Sequence, residues 1–222
     1  MAVLRRRWHG CRQMIKSIAS FTGGFAATNG YCVEGPEGAV LIDAPEGAAA
    51  WLRQAGIRPQ VLCLTHQHYD HVMDAAAVVE WAGCPVWAHS PYSPDLTLAS
   101  RVRDMGMDLE LVEYGVDRLL VDGETAEVCG MEMAVRHVPG HSPDSLVFHL
   151  PGDGVVFAGD TLFAGSVGRT DLPGGSWPLL EAGIRRHLLS LDDETKVLSG
   201  HGGGTSVGAE RRGNPFLAGP VE

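Results

Sequence analysis

Thr65-His66-Gln67-His68-Tyr69-Asp70-His71 places three imidazoles and a carboxylate within six positions, His66 to His71. Donors this dense suit a divalent metal better than a solvated loop. A loop explains neither Asp70 inside the cluster nor the return of apolar residues at Val72. Three later positions repeat the pattern: His141 in Pro139-Gly140-His141, Asp160 in Gly159-Asp160-Thr161, and His201 in Ser199-Gly200-His201-Gly202. Each follows an apolar run and sits beside glycine, where the chain can turn toward a shared cleft. Nitrogen and oxygen ligands in this supply fit two borderline divalent ions, zinc first, with iron or manganese as alternatives. A water shared by two such cations loses a proton near neutral pH and becomes a nucleophile for an ester, thioester or lactone carbonyl. A metal then stabilises the developing oxyanion. Asp70 is the candidate catalytic residue: it can orient that water as well as bind metal. Ser142 and Ser145 flank His141 without the glycine context of a serine nucleophile.

The elements that must position these residues are short. Val61-Leu62-Cys63-Leu64, bounded by Pro59 and the histidine cluster, reads as a buried strand. Its carboxyl end is where open α/β sheets usually place their sites. Upstream, strands are expected from Met14 to Phe21, Tyr31 to Glu34 and Ala39 to Ile42, then a helix from Glu46 to Gln54. Downstream, one helix is expected from His71 to Trp81, a strand at Pro85 to Ala88, and a helix from Leu96 to Met105. From Leu119 to Ala158 a series of turn-separated strands reads as a second sheet of antiparallel ribbons. Ser176 is positioned to cap a helix from Trp177 to Leu189, and Thr195 to Leu198 is a late strand. Two sheet-rich halves with helices outside predict a four-layer αββα sandwich.

Composition narrows the function classes. A chain of 222 residues can bury about 70% of its unfolded surface, and one domain over residues 1–222 is expected. The formal charge of -10 argues against nucleic-acid binding. Arg5-Arg6-Arg7 lacks a following apolar stretch, so neither a secretory signal nor a membrane span is expected. Five cysteines without a CxxC pair point to a reducing, cytoplasmic compartment. A monomer and a small homo-oligomer are both compatible.

His66-x-His68-x-Asp70-His71 resembles, without departure, the His-x-His-x-Asp-His pattern of the metallo-β-lactamase fold superfamily. The resemblance implies that His66, His68 and His141 hold one metal, that Asp70, His71 and His201 hold a second, and that Asp160 bridges them. Within the superfamily, Gly159 to Gly175 and the tail His201-Gly202-Gly203-Gly204-Thr205 with Glu210-Arg211 and Asn214-Pro215-Phe216 are similar to short members of the hydroxyacylglutathione hydrolase (glyoxalase II)-like group. That likeness implies hydrolysis of a small glutathione-type thioester. A separate helical glutathione-binding domain, as in full-length glyoxalase II, is not expected. A persulfide dioxygenase-like oxidoreductase is the first alternative. That group shares the Gly168-Arg169-Thr170-Asp171 stretch and holds one iron through positions corresponding to His66, His141 and Asp160. Leu172-Pro173-Gly174-Gly175 looks more like the hydrolases. A lactonase or other ester or amide metallohydrolase is the second alternative.

Arg169 is the local candidate for a substrate carboxylate, with an ion pair to Asp171 as the competing reading. Asp43 ends a strand at the same edge and either hydrogen-bonds a ligand histidine or its loop, or begins a helix in Asp-Ala-Pro. Tyr69, Phe163 and Phe216 are candidate pocket walls or packing residues. Asn214 to Phe216 is expected to support the His201 loop. His9, His89, His137, His149 and His187 lack motif context.

Overall fold

The computed structural model describes residues 15–106 and 110–218. Arg5 to Arg7, His9, Cys11 and the expected strand start at Met14 lie outside them. The first sheet has the order β1-β2-β3-β4-β5-β6. It consists of β1 (Ser17–Gly23), β2 (Thr28–Gly35), β3 (Gly38–Ile42), β4 (Val61–Cys63), β5 (Val86–Ala88) and β6 (Arg118–Leu119). Its first three strands are antiparallel, and β3 to β6 run parallel. The helices α1 (Ala48–Ala55), α2 (Tyr69–Val72), α3 (Ala75–Ala82), α4 (Pro94–Thr97) and α5 (Ala99–Asp104) lie in the crossovers. The second sheet combines β7 (Thr125–Val128), β8 (Met131–His137), β9 (Leu146–Leu150), β10 (Val155–Gly159), β13 (Lys196–Ser199) and β14 (Thr205–Ser206). Its order is β14-β13-β10-β9-β8-β7, with only β10 and β13 parallel. A hairpin of β11 (Leu162–Phe163) and β12 (Ser166–Val167), α6 (Trp177–Gly183) and α7 (Val207–Gly213) complete it.

Period-two alternation sorts the strands' side chains into three cores. Val33, Val40, Ile42, Val61 and Cys63 meet Met133, Val135, Leu146, Phe148 and Phe157 between the sheets. The intervening Cys32, Leu41, Leu62 and Leu64 point the other way, onto Leu52, Val72 and Val78 of the first helical layer. On the far side, Val147, Val156, Ala158 and Val197 pack against Leu180, Ile184 and Leu188. Helix, sheet, sheet, helix is the four-layer αββα arrangement expected from the order of elements. Among the described residues no helix is long and apolar enough to cross a membrane. Cys32, Cys63, Cys84 and Cys129 are buried free thiols.

Several local expectations need correction. The Leu119 region joins the first sheet: Asp117 N–H donates to the Val86 carbonyl and Leu120 N–H to that of Ala88, each at 2.8 Å. Its adjacency in sequence to the antiparallel ribbons hid this crossover. The expected His71–Trp81 helix is two helices. The His71 carbonyl accepts from Ala44 N–H at 2.8 Å, and Asp74 N–H donates to the Ala44 carbonyl at 2.9 Å, so strand-end backbone interleaves at the break. The Leu96–Met105 helix is likewise split, at Leu98, whose φ is +55°. Ser176 occupies the cap position of α6 without a side-chain capping bond, and Ile184–Leu188 continues as a π-helical turn.

Phe148 is fully buried between the sheets. Phe148→Ala is expected to lower the unfolding free energy by about 3–5 kcal/mol, read as a urea midpoint shift at constant slope. A loss under about 1 kcal/mol would contradict its place in the inter-sheet core.

Candidate metal centre

The sandwich brings together donors that are far apart in sequence. His66 to His71 follow β4, His141 follows β8, Asp160 follows β10, and His201 follows β13. Side-chain atoms of His66, His68 and His141 lie within 4.8 Å of one another, as do those of His66, His71 and Asp160, and of Asp70, His71 and His201. The two sheets are tied at this edge. Asn29 N–H donates to the Gly200 carbonyl at 2.7 Å. The Asn29 side-chain amide donates to the carbonyls of Ser199 and Gly202, each at 3.0 Å, and the Tyr31 hydroxyl to that of Ser199 at 2.7 Å.

His71, His141 and His201 are each held by one nitrogen and offer the other. His71 Nδ1 lies 2.8 Å from Asp43 Oδ2, leaving Nε2 3.3 Å from Asp160 Oδ1 and 3.6 Å from Asp70 Oδ2. His141 Nδ1 donates to the Arg169 carbonyl at 2.9 Å, and its Nε2 stands 3.4 Å from Asp160 Oδ2. His201 Nδ1 donates to the Ala26 carbonyl at 3.1 Å, with Nε2 3.3 Å from both Asp70 and Asp160. His66 Nδ1 is 3.1 Å from Thr65 Oγ1, and its Nε2 is 3.1 Å from His68 Nδ1. His71 Nε2, His141 Nε2 and Asp160 Oδ1 are buried and have no hydrogen-bond partner. Buried polar atoms are rarely left so, and a bound ion is one physical reason. This donor set fits divalent metal.

Charge is sorted within the cluster. Burial pushes His66 well below the ordinary imidazole value, aided by His71 and His68. Burial and His141 take His68 down to about 3. Burial opposes charge on His71 too, yet Asp160, Asp70 and Asp43 raise it well above the ordinary value. Against burial, Asp160 and Asp70 bring His201 up to about 10. Burial would raise both carboxyls, but His71 and His201 hold Asp160 well below the usual range and Asp70 at about 2. In the metal-free protein the His201 contribution to stability is therefore complete below about pH 6.5. It is lost as pH rises through about 10. The Asp70 contribution is present above about pH 3.9. It disappears as pH falls through about 2.

Of the sequence candidates, His66, His68, Asp70, His71, His141, Asp160 and His201 converge. Arg169 lines the same cleft, but its guanidinium pairs with Asp171 through two 2.7 Å contacts. Tyr69 also lines the cleft. Phe163 stands 6.2 Å from the His201 ring, and Phe216 is exposed. The Asn214 amide donates to the Ser166 carbonyl and to Glu210, and Glu210 also accepts from the Thr205 hydroxyl, so this tail braces the β11–β12 hairpin directly and the end of the His201 loop through Glu210. Asp43 realises the hydrogen-bonding alternative. At φ +59° it accepts from His71 and, at 2.7 Å each, from the Thr65 N–H and hydroxyl. Sequence reasoning missed Thr28, whose hydroxyl donates to Asp70 Oδ2 at 2.6 Å, and Asp144, which accepts from Gln67 N–H at 3.0 Å and from the Ser142 hydroxyl. Asp144 stands three residues after His141, which was the available signal.

A Cβ on Gly200 would overlap Asp160 Oδ1 and His71 Cε1. Gly200→Ala is expected to lower metal affinity by about 10–100-fold without removing a donor, a loss typical of disturbed outer support. Equilibrium dialysis against a chelator reads it, and wild-type affinity would refute it. Because neighbouring carboxylates raise both His71 and His201 above the ordinary imidazole value, metal loading at pH 7 should displace protons from these rings. Calorimetry in buffers of differing ionisation enthalpy measures this, with no proton release as the contrary result.

A model described as the metallo-beta-lactamase superfamily matches residues 23–201. An uncharacterized protein of Mycobacterium tuberculosis is 37% identical over 221 residues, covering 91% of this chain and 98% of its own. Hydroxyacylglutathione hydrolase GloC of Haemophilus influenzae is 35% identical over 191 residues, covering 81% and 87%. The structure of BLEG-1 B3 metallo-beta-lactamase superposes with a TM-score of 0.83 at 33% identity, covering 91% of this chain and 100% of that one. TTHA1623 in a di-iron-bound form gives 0.78 at 40% identity, covering 90% and 100%. ETHE1 from Myxococcus xanthus gives 0.75 at 25% identity, covering 91% and 84%. The matched region begins in β1 and ends on His201, the last of the converging donors, and the chain belongs to the metallo-beta-lactamase superfamily.

Proposed function

We propose that the protein is a dinuclear metallohydrolase of a small thioester of the hydroxyacylglutathione kind. His66, His68 and His141 would hold one ion, Asp70, His71 and His201 the other, with Asp160 between them. The observation that carries this reading is the second donor group, Asp70–His71–His201, gathered beside the first. Zinc is the first candidate, with iron or manganese as alternatives; such ions, when bound, acidify water and polarise a carbonyl. The relative named GloC supports the thioester assignment, and the di-iron form of TTHA1623 supports a two-metal site.

The chain's own groups supply orientation. Asp70, held at about 2, is an acceptor at neutral pH. It can fix an attacking water by accepting its proton in a hydrogen bond, while the Thr28 hydroxyl fixes the carboxylate. A thiolate leaving group, with a free-thiol pKa of roughly 8.5, needs little protonation. Asp43 and the carbonyls of Ala26 and Arg169 keep the imidazoles facing inward, so the rings need not reorganise during attack.

Two observations favour other chemistries. The Gly168-Arg169-Thr170-Asp171 stretch keeps open a single-iron, persulfide dioxygenase-like oxidoreductase using His66, His141 and Asp160, and the likeness to BLEG-1, a metallo-beta-lactamase by name, supports a lactam as substrate. Metal analysis of anaerobically purified protein, with paired assays of S-lactoylglutathione hydrolysis and persulfide-dependent oxygen uptake, separates them. Two metals with thioester cleavage are expected. One iron with sulfite formation would overturn the reading, and cleavage of lactams or lactones alone would move it to the third class. Asp160→Asn should reduce metal retention by more than the roughly 10–100-fold of an outer-partner loss, and abolish turnover with it. Turnover surviving with full metal content would count against Asp160 as a ligand.

A further inference from the structure

The cleft above the donor cluster is a cavity of about 390 Å³, and one of its walls is helical. Leu98, Arg101, Val102 and Met105 face it from the α5 segment, spaced i, i+3, i+4 and i+7, the repeat of a single helix face. That face owes its start to the break at Leu98, which sits in the left-handed region against the steric preference of a branched side chain. Its carbonyl accepts from the N–H groups of Arg101 and Val102, so the backbone is held in that turn. Strain of this kind is retained where the surroundings enforce it, and binding walls are a common place.

The two arginines of the cleft differ. Arg169 is committed to Asp171 by a two-pronged pair, with both side chains largely exposed at 63% and 68%. Among the described residues Arg101 is in no ion pair at contact distance, although its charge also reaches Asp171 and helps to hold that carboxyl low, and Asp70 and Asp160 face histidines. A second cavity of about 230 Å³ adjoins the first through Ala26, Tyr69 and Asp70, and is walled by Gly24, Phe25, Glu46 and Met73. There Phe25 stacks on Tyr69, with centroids 5.7 Å apart and planes 18° apart. The donor cluster thus lines a larger lobe that also holds Arg101, and through Asp70 it borders a smaller aromatic lobe whose other charged wall residue is Glu46.

We propose that Arg101 is the residue that selects the thiol half of the substrate, receiving a carboxylate of the leaving thiol in the larger lobe while the smaller lobe takes an uncharged acyl group. This rests on the thioesterase reading and deepens it by assigning the charge of each half. Planar guanidinium pairs with carboxylate through two hydrogen bonds, which gives Arg101 specificity as well as attraction. Glu46 repels acidic acyl chains from the other side.

The test compares S-lactoylglutathione with a lactoyl thioester of N-acetylcysteamine, whose thiol is uncharged. Binding of S-methylglutathione, a thioether that cannot be hydrolysed, is measured by calorimetry alongside. Arg101→Ala should lower the ratio of kcat/KM for the charged over the uncharged substrate by about tenfold, mainly through KM, the effect of losing roughly one charge-assisted contact. S-Methylglutathione should bind about tenfold more weakly, and Arg101→Lys should restore part of both losses. A wild-type ratio and wild-type binding in Arg101→Ala, with thioester cleavage intact, would overturn the role of Arg101 and leave the hydrolase reading standing. If the wild type cleaves neither thioester but Arg101→Ala still weakens S-methylglutathione binding, the recognition role stands and the thioesterase reading falls. Absence of S-methylglutathione binding to the wild type overturns the proposal.

Discussion

The rest of the structure depends on one buried carboxylate. Asp160 is shielded from water at the end of β10, and burial alone would drive it toward its neutral form. What keeps it charged is the ring of imidazoles from β4, β8 and β13, with His71 and His201 dominant. A strand end can deliver only one or two side chains, so this ring requires both sheets to place their carboxyl edges together. Cross-sheet bonds from the Asn29 backbone and from the Asn29 and Tyr31 side chains to the Ser199–Gly202 turn hold them so. Gly200 leaves room because any side chain there would enter the space of Asp160 and His71. Gly159, at φ +49°, lets β10 turn beside Thr65, where a Cβ would come to 2.6 Å from the threonine hydroxyl.

The inward face of the cluster is disciplined from outside. Asp43 grips His71 and both polar groups of Thr65, and Thr65 in turn stands beside His66. One non-donor carboxylate therefore sets the posture of two adjacent donors. It does so from a left-handed backbone, a conformation aspartate tolerates better than most residues. The carbonyls of Ala26 and Arg169 perform the same task for His201 and His141 through main chain alone. Arg169 thus contributes to the site by its backbone as well as standing at the rim by its side chain.

Much of this was legible in the sequence because the signals were local. His66 to His71 after an apolar run, and glycine-flanked His141, Asp160 and His201 after three others, mark strand ends without knowledge of how the strands pair. Alternation in Val40-Leu41-Ile42 and Val61-Leu62-Cys63 reports burial on both faces, which is what a four-layer sandwich needs. The failures came where structure is set by distant partners. Ala44 interrupts the helix after His71 from 27 residues away, a contact no periodicity encodes. β6 pairs with β5 across two short helices, and its two exposed residues carry no pattern of their own. The Thr28–Asp70 bond joins the first hairpin to the motif and leaves no mark at either residue.

The same distinction explains why metal chemistry reads more easily than substrate choice. Metal donors must sit at rigid strand ends, since a small ion tolerates little positional error, and rigid elements write themselves as periodic runs. The walls of the cleft arise instead from connections between those elements: the Phe25 turn, the split α4–α5 segment and the loop through Arg169 and Leu172. Connections carry chemistry without periodicity, and loops placed on a rigid scaffold are where binding residues concentrate. Leu98 shows the consequence. Its left-handed turn decides which side of α5 meets the cleft, yet a leucine in sequence announces nothing of the kind. Arg101, three residues later, lines the cleft from the helix that this turn begins, so part of the charge of the cleft is a property of the fold before it is a property of the sequence.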